Sequence, residues 1–133
     1  MSEITITRVY DAPRELVWKA WTEPARLATW WGRRGWTAIP ESIVIEARPG
    51  GRFRVTTVNA DGAEMTTDGV IAEVVEPERL VFAGGGSVTF TELPGGRTEM
   101  VFRTIPPSPN AEAGLRSAFE RLAEHLSSER TPR

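Results

Sequence analysis

Residues 36–104 alternate between segments rich in β-branched and aromatic residues and short turns rich in glycine and proline. Because the turns are short, consecutive strands should pair antiparallel as a meander. Residues 111–126 follow with the clearest helical periodicity of the chain. The apolar stripe of this helix consists of Leu115, Ala118, Phe119, Leu122 and Leu126. An antiparallel sheet has one apolar face to cover, and this helix is the segment able to cover it.

Two short helices are predicted before the main run of strands. Residues 3–10 alternate and indicate a first strand, and Asp11-Ala12-Pro13 is typical of a helix start. Thr22-Glu23-Pro24 repeats that signal, so a second helix should run to Trp30 or Trp31 and end at Gly32. The expected fold class is α+β, a curved antiparallel sheet of six to seven strands wrapped around the long C-terminal helix. We expect one domain over residues 1–127 and a flexible tail over 128–133.

Composition excludes several classes of function. The chain has 133 residues, a net charge of −2 and no cysteine. A mildly acidic protein is not expected to bind nucleic acid, and without cysteine neither disulfides nor thiolate metal sites can form. The N-terminus has no signal-peptide pattern, and no apolar stretch is long enough to span a bilayer. We therefore expect a cytoplasmic protein with no membrane span.

Five segments together resemble a known family. They are residues 8–18, 27–32, 48–53, 73–82 and 121–126, which read RVYDAPRELVW, LATWWG, RPGGRF, EVVEPERLVF and RLAEHL. With the order of the elements, they are similar to the START-like superfamily (SRPBCC), whose fold is the helix-grip fold, and within it to the Aha-like group, named after the activator of a heat-shock chaperone ATPase. The superfamily places lipid carriers, hormone receptors, cyclases and co-chaperones on one fold, so the resemblance implies the fold and leaves the activity open.

No constellation of catalytic residues is visible. His125 is the only histidine, and it has no evident partner for acid–base work near the end of the last helix, so we predict a structural role. Neither a G-x-S-x-G elbow nor a phosphate-binding loop is present. Asp61, Glu64 and Asp68 lack the spacing of a calcium loop. We therefore expect no metal and no cofactor, and a non-catalytic function over an enzymatic one.

A curved sheet around one helix rarely packs shut along its whole length, so a cavity is expected between them. The same apolar residues would otherwise form an ordinary core. The candidate ligand-binding residues are Trp21, Trp30, Trp31, Phe53, Val55, Met65, Phe82, Phe90, Met100, Phe102, Leu115, Phe119 and Leu122.

The adjacent pair Trp30 and Trp31 cannot place both rings in one core, because neighbouring side chains diverge on a helix and on a strand. We expect Trp30 to pack inward and Trp31 to stay partly exposed, as a ligand gate or an interface patch. Arg33, Arg34 and Arg54 are candidates for a positive rim that meets a carboxylate or phosphate head group. The alternative for these arginines is a solvated surface.

Three functions remain open from the sequence. The leading hypothesis is a non-catalytic binding domain for a small hydrophobic or amphipathic molecule. The second is a protein-interaction module of the chaperone-ATPase-activator kind, with a protein client. The third is an enzyme of the cyclase or hydrolase type, in which Glu64 or Asp68 would work as a desolvated acid. A homodimer is also possible through an uncovered edge strand or through Trp31.

Overall fold

The computed structural model describes residues 3–105 and 111–130, with side chains to residue 127 in the last helix. Eight strands, three α-helices and one 3₁₀ turn make up these ranges. In chain order they are β1 (Ile4–Tyr10), α1 (Arg14–Thr22), α2 (Pro24–Leu27), β2 (Trp36–Ala38), the 3₁₀ turn (Pro40–Ser42), β3 (Val44–Ile45), β4 (Arg52–Asn59), β5 (Glu64–Val75), β6 (Arg79–Phe82), β7 (Gly86–Leu93), β8 (Arg97–Thr104) and α3 (Ala111–Arg130).

The strands form one curled antiparallel sheet in the order β1-β8-β7-β6-β5-β4-β2, and β3 also pairs with β4. This is the predicted α+β helix-grip architecture, a half-barrel with a long C-terminal helix. The strand count is eight because Trp36–Ala38 forms a short additional strand, β2, beside β4, and the next strand, β3, has only two residues. Ser42 accounts for the short β3: its hydroxyl donates to the carbonyl of Ile39 and accepts the backbone N–H of Thr56, a side-chain substitute for strand pairing.

The helices depart from the predicted bounds at two places, the end of α2 and the end of α3. The second helix, α2, ends at Leu27 instead of at Trp30 or Trp31. After this end, the Thr29 hydroxyl donates a hydrogen bond to the backbone carbonyl of Arg26. The N-cap position of α1 is occupied by Pro13, which makes no side-chain cap hydrogen bond. At the C-terminus, α3 continues to Arg130, and residues 128–130 predicted as tail are therefore helical. Asn110 precedes α3 and is of a residue type favoured at helix N-caps, but it lies outside the described residues.

The C-terminal helix covers only part of the concave face of the sheet. It packs chiefly against β1 and α1. The Tyr10 hydroxyl of β1 donates a buried hydrogen bond of 3.1 Å to the Phe119 carbonyl of α3. The concave face of β4 and β5 is covered instead by the aromatic rings of α1 and of the segment after α2. Because α3 does not close that half of the sheet, the fold remains open there.

The long strand β5 is irregular. Glycine inside a strand is typical of a bulge, yet the register shifts between Ile71 and Glu73 and not at Gly69. Gly69 itself pairs regularly with Phe53 of β4. Within the described residues, no helix is both long and apolar enough to cross a membrane.

Candidate functional site

A cavity of about 220 Å³ lies between α1, the segment after α2 and the concave face of the sheet. Strands β4 to β8 contribute its floor and its mouth. The lining residues are Trp21, Trp31, Phe53, Thr67, Asp68, Gly69, Phe82, Ala83, Gly84, Gly86, Phe102 and Thr104.

Five aromatic rings form the wall of this cavity. Trp21 is fully buried and stacks on Phe102 at a centroid distance of 6.0 Å. Trp31 stands edge-on to Trp21 at 5.8 Å and to Phe53 at 5.4 Å. Phe82 closes the far side, 5.4 Å from the ring of Phe53. Offset and edge-to-face arrangements are the favoured geometries of aromatic pairs, so the wall is a packed, preformed surface.

The indole N–H of Trp21 is buried and has no hydrogen-bond partner among the described residues. The corresponding N–H of Trp30 donates to the Ala20 carbonyl at 3.0 Å. Most buried polar groups are paired, and an unpaired one costs stability. The unsatisfied donor therefore lies in the ring that borders the cavity, while the ring inside the core is satisfied.

Small residues keep the mouth of the cavity open. The turn between β6 and β7 is Ala83-Gly84-Gly85, and Gly84 and Gly85 have φ values of +98° and +111°. Residues with a Cβ rarely adopt this conformation, and so the turn requires glycine. Gly86 follows in β7, where a Cβ would lie 3.7 Å from the Thr104 hydroxyl. Glycine at these positions leaves space in front of Phe82.

Trp31 belongs to the tryptophan loop, which we define as residues 28–35. Arg121 of α3 fixes this loop, because its guanidinium donates to the carbonyls of Gly32 and Trp36 at 3.0 Å each. Burial lowers the pKa of Arg121, and the neighbouring Arg34 adds to the effect. The cost of that burial is offset by the carbonyl dipoles that accept its N–H groups.

Further links between the tryptophan loop and α3 involve His125 and two of the predicted rim arginines, Arg33 and Arg34. Thr29 shares a 2.8 Å hydrogen bond with Nδ1 of His125. Arg34 pairs with Glu124, which raises the pKa of Arg34 through a hydrogen bond. The guanidinium of Arg33 lies beside Gly114. These residues connect the loop to the helix and do not line the cavity.

The structure brings together five of the predicted ligand-binding residues and separates the others. Trp21, Trp31, Phe53, Phe82 and Phe102 line the cavity. The residues that lie in the core away from it are Trp30, Val55, Phe90, Met100, Phe119 and Leu122, and Leu115 is partly buried against that core. Met65 is 57% exposed on β5, beyond the reach of α3, and Arg54 is exposed on the convex face of β4.

Two threonines and three glycines of the lining were not predicted from the sequence. Thr67 and Gly69 lie directly opposite Val55 and Phe53 in the β4–β5 pairing. Opposite residues share a face of the sheet, so alternation together with the correct register would have found both. The signal was hidden because β5 is exposed over residues 64–68 and shows no burial pattern in its sequence.

A larger cleft of about 440 Å³ lies at the other end of the tryptophan loop, lined by Arg34, Gly35, Trp36, Thr37, Val58, Asn59, Ala60 and Arg121. Both of its arginines already have partners, Arg34 in Glu124 and Arg121 in backbone carbonyls. It is an open surface groove with as much polar as apolar wall. The smaller aromatic cavity is therefore the better candidate for a binding site.

The two acids of the enzymatic hypothesis do not occupy a desolvated site. Glu64 and Asp68 are both exposed, so neither is the desolvated acid that an enzyme would need. No group of three or more His, Asp or Glu side chains within residues 3–105 and 111–127 could hold a metal ion.

The whole fold has solved counterparts. A protein from Chromobacterium violaceum is 26% identical with a TM-score of 0.81, and the match covers 95% of this chain and 98% of that one. A protein from Nitrosomonas europaea has a TM-score of 0.81 at 21% identity, covering 96% and 95%. The AHSA1 protein from Silicibacter pomeroyi has a TM-score of 0.78 at 18% identity, covering 96% and 99%.

A comparison with curated proteins gives no match. Residues 11–128 match the family described as Activator of Hsp90 ATPase homolog 1-like protein, and this range includes α1, the tryptophan loop and nearly all of α3. The chain therefore belongs to the Activator of Hsp90 ATPase homolog 1-like family.

Proposed function

We propose that the chain is a non-catalytic binding domain for a small hydrophobic or amphipathic molecule. The observation that carries this proposal is the cavity walled by Trp21, Trp31, Phe53, Phe82 and Phe102. Ligand sites are concave, mostly apolar and largely preformed, with a few polar groups that orient the ligand. Thr67 and Thr104 are such groups at this cavity.

The volume limits the size of the ligand. The cavity measures about 220 Å³. An engineered apolar cavity of about 150 Å³ binds benzene. Pockets for drug-sized molecules begin at about 300 Å³. A ligand built on a single ring with short substituents fits between these limits, and benzamide is a suitable first probe.

The cavity can be closed without removing any of its rings. Gly69 lies opposite Phe53, its φ is outside the left-handed region, and a Cβ there would meet no atom within 4 Å. A side chain at residue 69 therefore grows into the cavity, and it also replaces a residue that weakens strands. In the series Gly69→Ala, Gly69→Val and Gly69→Phe, benzamide affinity should fall with side-chain size while the free energy of unfolding holds or rises.

Calorimetric titration measures the affinity, and urea unfolding measures the stability. Val70→Phe is the matched control, because Val70 is the next residue of β5 and faces the opposite side of the sheet. It should leave benzamide binding unchanged. Thermal shifts over a panel of small aromatic molecules extend the test, since a ligand of the native state raises the midpoint by mass action. Absence of benzamide binding to the wild type, or binding unaffected by Gly69→Phe, would contradict the proposal.

A second candidate function is interaction with a chaperone ATPase, as the family name suggests. It is favoured by two exposed valines on the convex face, Val44 at 38% and Val70 at 47%, placed on either side of Arg52 and Arg54 in β4. Its test is the ATPase rate of a purified Hsp90 with and without this protein. The double substitution Val44→Asp and Val70→Asp should abolish any stimulation, whereas Gly69→Phe should not affect it.

A further inference from the structure

We propose that the aromatic cavity selects uncharged ligands and rejects the ionised forms of molecules of the same size. This inference rests on the proposed function and specifies the chemical class of its ligand. Its basis is the charge of the lining. Among the described residues that border the cavity, Asp68 is the only one with an ionisable side chain, and every other polar side chain there is neutral.

The Asp68 carboxylate belongs to the opposite face of the sheet. Successive residues of a strand point to alternate faces, and both Thr67 and Gly69 share the face of Val55 and Phe53. Asp68 pairs with Arg54, which is exposed on the convex face. Asp68 thus borders the cavity through its backbone, while its side chain stands in solvent beside an arginine.

The arginines nearest to the aromatic wall in sequence are also directed away from it. Arg52 and Arg54 flank Phe53 in β4, and Arg103 follows Phe102 in β8. All three are exposed, whereas the two phenylalanines are buried, so the sheet separates the guanidinium groups from the cavity. This arrangement replaces the predicted positive rim, because none of the described residues that line the cavity is a cation that could meet a carboxylate or phosphate head group.

A charged ligand would therefore lose its hydration without gaining a counter-charge. Such a transfer is strongly unfavourable, and an ionisable group in an apolar site takes its neutral form instead. A neutral ligand loses far less, since hydroxyl groups of Thr67 and Thr104 at the mouth can donate to or accept from its polar substituent. The cavity should consequently bind phenols, amides and alcohols, and exclude carboxylates and ammonium ions of equal size.

The test uses one molecule in two charge states. 4-Nitrophenol loses its proton near neutral pH with almost no change of shape, whereas benzamide stays uncharged over the whole pH range. We would titrate the full chain with both compounds by calorimetry at several pH values between 6 and 9. Below its own pKa, 4-nitrophenol should bind with constant affinity. Above it, the apparent affinity should fall by about tenfold per pH unit, because only the neutral fraction binds.

Benzamide reports any pH dependence that originates in the protein, and its affinity should stay constant over this pH range. Gly69→Phe should abolish the binding of both compounds, and this loss would assign their binding to the aromatic cavity. Equal affinity for 4-nitrophenol and its anion, with benzamide still bound, would overturn the inference and leave the proposed function standing. Loss of that anion binding in Arg33→Gln would show that a loop arginine supplies the charge. Failure of benzamide and neutral 4-nitrophenol to bind would overturn both proposals.

Discussion

The guanidinium of Arg121 in α3 lies 3.0 Å from the carbonyl oxygen of Gly32, the residue that follows the tryptophan pair. The same nitrogen lies 3.0 Å from the carbonyl of Trp36. One side chain thus holds the middle of the tryptophan loop, and the residue that follows the loop, against the helix. Because Trp31 belongs to that loop and to the wall of the cavity, Arg121 is a positioning residue for the candidate site.

We expect Arg121→Met to lower the free energy of unfolding by about 1–3 kcal/mol, since it leaves two carbonyls without their donor. Benzamide affinity should fall as well, because Trp31 loses its support. Arg121→Lys should recover only part of both properties, as a single ammonium cannot reproduce the planar fork of donors. Urea unfolding and calorimetric titration measure the two effects.

Arg116→Met on the same helix is the control for Arg121→Met. Arg116 is exposed and pairs only with Glu112, one turn earlier. Exposed pairs of this kind contribute about 0.5 kcal/mol or less, and the site is remote from the tryptophan loop. If both variants lost equal stability, or if Arg121→Met bound benzamide as the wild type does, the positioning role of Arg121 would be refuted.

The two adjacent tryptophans should respond differently to removal. Trp30 is fully buried and hydrogen-bonded to Ala20, so Trp30→Ala should cost about 3–5 kcal/mol of stability. Trp31 is partly exposed, and Trp31→Ala should cost only about 1–2 kcal/mol. Trp31→Ala should nevertheless lower benzamide affinity more than Trp30→Ala does, when both are measured under conditions in which both variants are folded. Equal losses of stability with unchanged binding would show that neither ring acts at the cavity.

The fold was accessible from the sequence because its signals are local. Alternation in β4 placed Phe53 and Val55 on one face and Arg52 and Arg54 on the other, as the structure has them. The irregularity of β5 was not accessible. Gly69 is the expected residue for a bulge, but the shift occurs at Ile71–Glu73, where β5 changes its partnership from β4 to β6. That exchange of partners is a property of the whole sheet.

The candidate site could be predicted only in part from the sequence, because the position of a cavity depends on which parts of the sheet the helices leave uncovered. Phe82 and Phe90 are alike in sequence, yet only Phe82 borders the cavity, whereas Phe90 is closed in by Trp18 and Trp21. Met65 is exposed since α3 packs over β1 and leaves this part of β5 uncovered. The path of α3 over the sheet, which decides between these outcomes, cannot be read from the periodicity of any one segment.

Tyr10 provides a test of the contact between β1 and α3 through pH. It is the only tyrosine of the chain, and burial raises its pKa, against a smaller lowering by Arg8. Below the pKa of an unfolded-chain tyrosine, about 10, both states hold the proton and stability does not change with pH. Above that pH the unfolded chain releases the proton first, so the free energy of unfolding should fall by about 1.4 kcal/mol per pH unit.

Tyr10→Phe should remove this alkaline slope, at a cost near neutral pH of about 0.5–1.5 kcal/mol for the lost hydrogen bond to Phe119. The two proteins share every other side chain, so the difference between their slopes isolates Tyr10. Urea unfolding at pH values from 8 to 11 gives the two slopes. Identical slopes would mean that the Tyr10 hydroxyl is not buried against α3.

The two glycines between β3 and β4 should tolerate substitution very differently. Gly50 has a φ of +82° and open space around it, so Gly50→Ala should cost about 1–2 kcal/mol for the left-handed backbone. Gly51 is buried, and a Cβ there would overlap the carbonyl oxygen of Glu46. Because Gly51 also accepts the backbone N–H of Ile71 at 2.8 Å, the clash cannot be relieved without parting β5 from this turn.

Gly51→Ala should therefore lower the free energy of unfolding by more than about 4 kcal/mol. Backbone overlap causes this loss, which exceeds the usual effect of a point substitution. Urea unfolding of the two variants side by side measures the contrast. The separation of β5 would also displace Gly69 and Thr67, so benzamide affinity should fall in Gly51→Ala and stay unchanged in Gly50→Ala. A mild effect of Gly51→Ala on both readouts would show that the turn can move without disturbing the cavity.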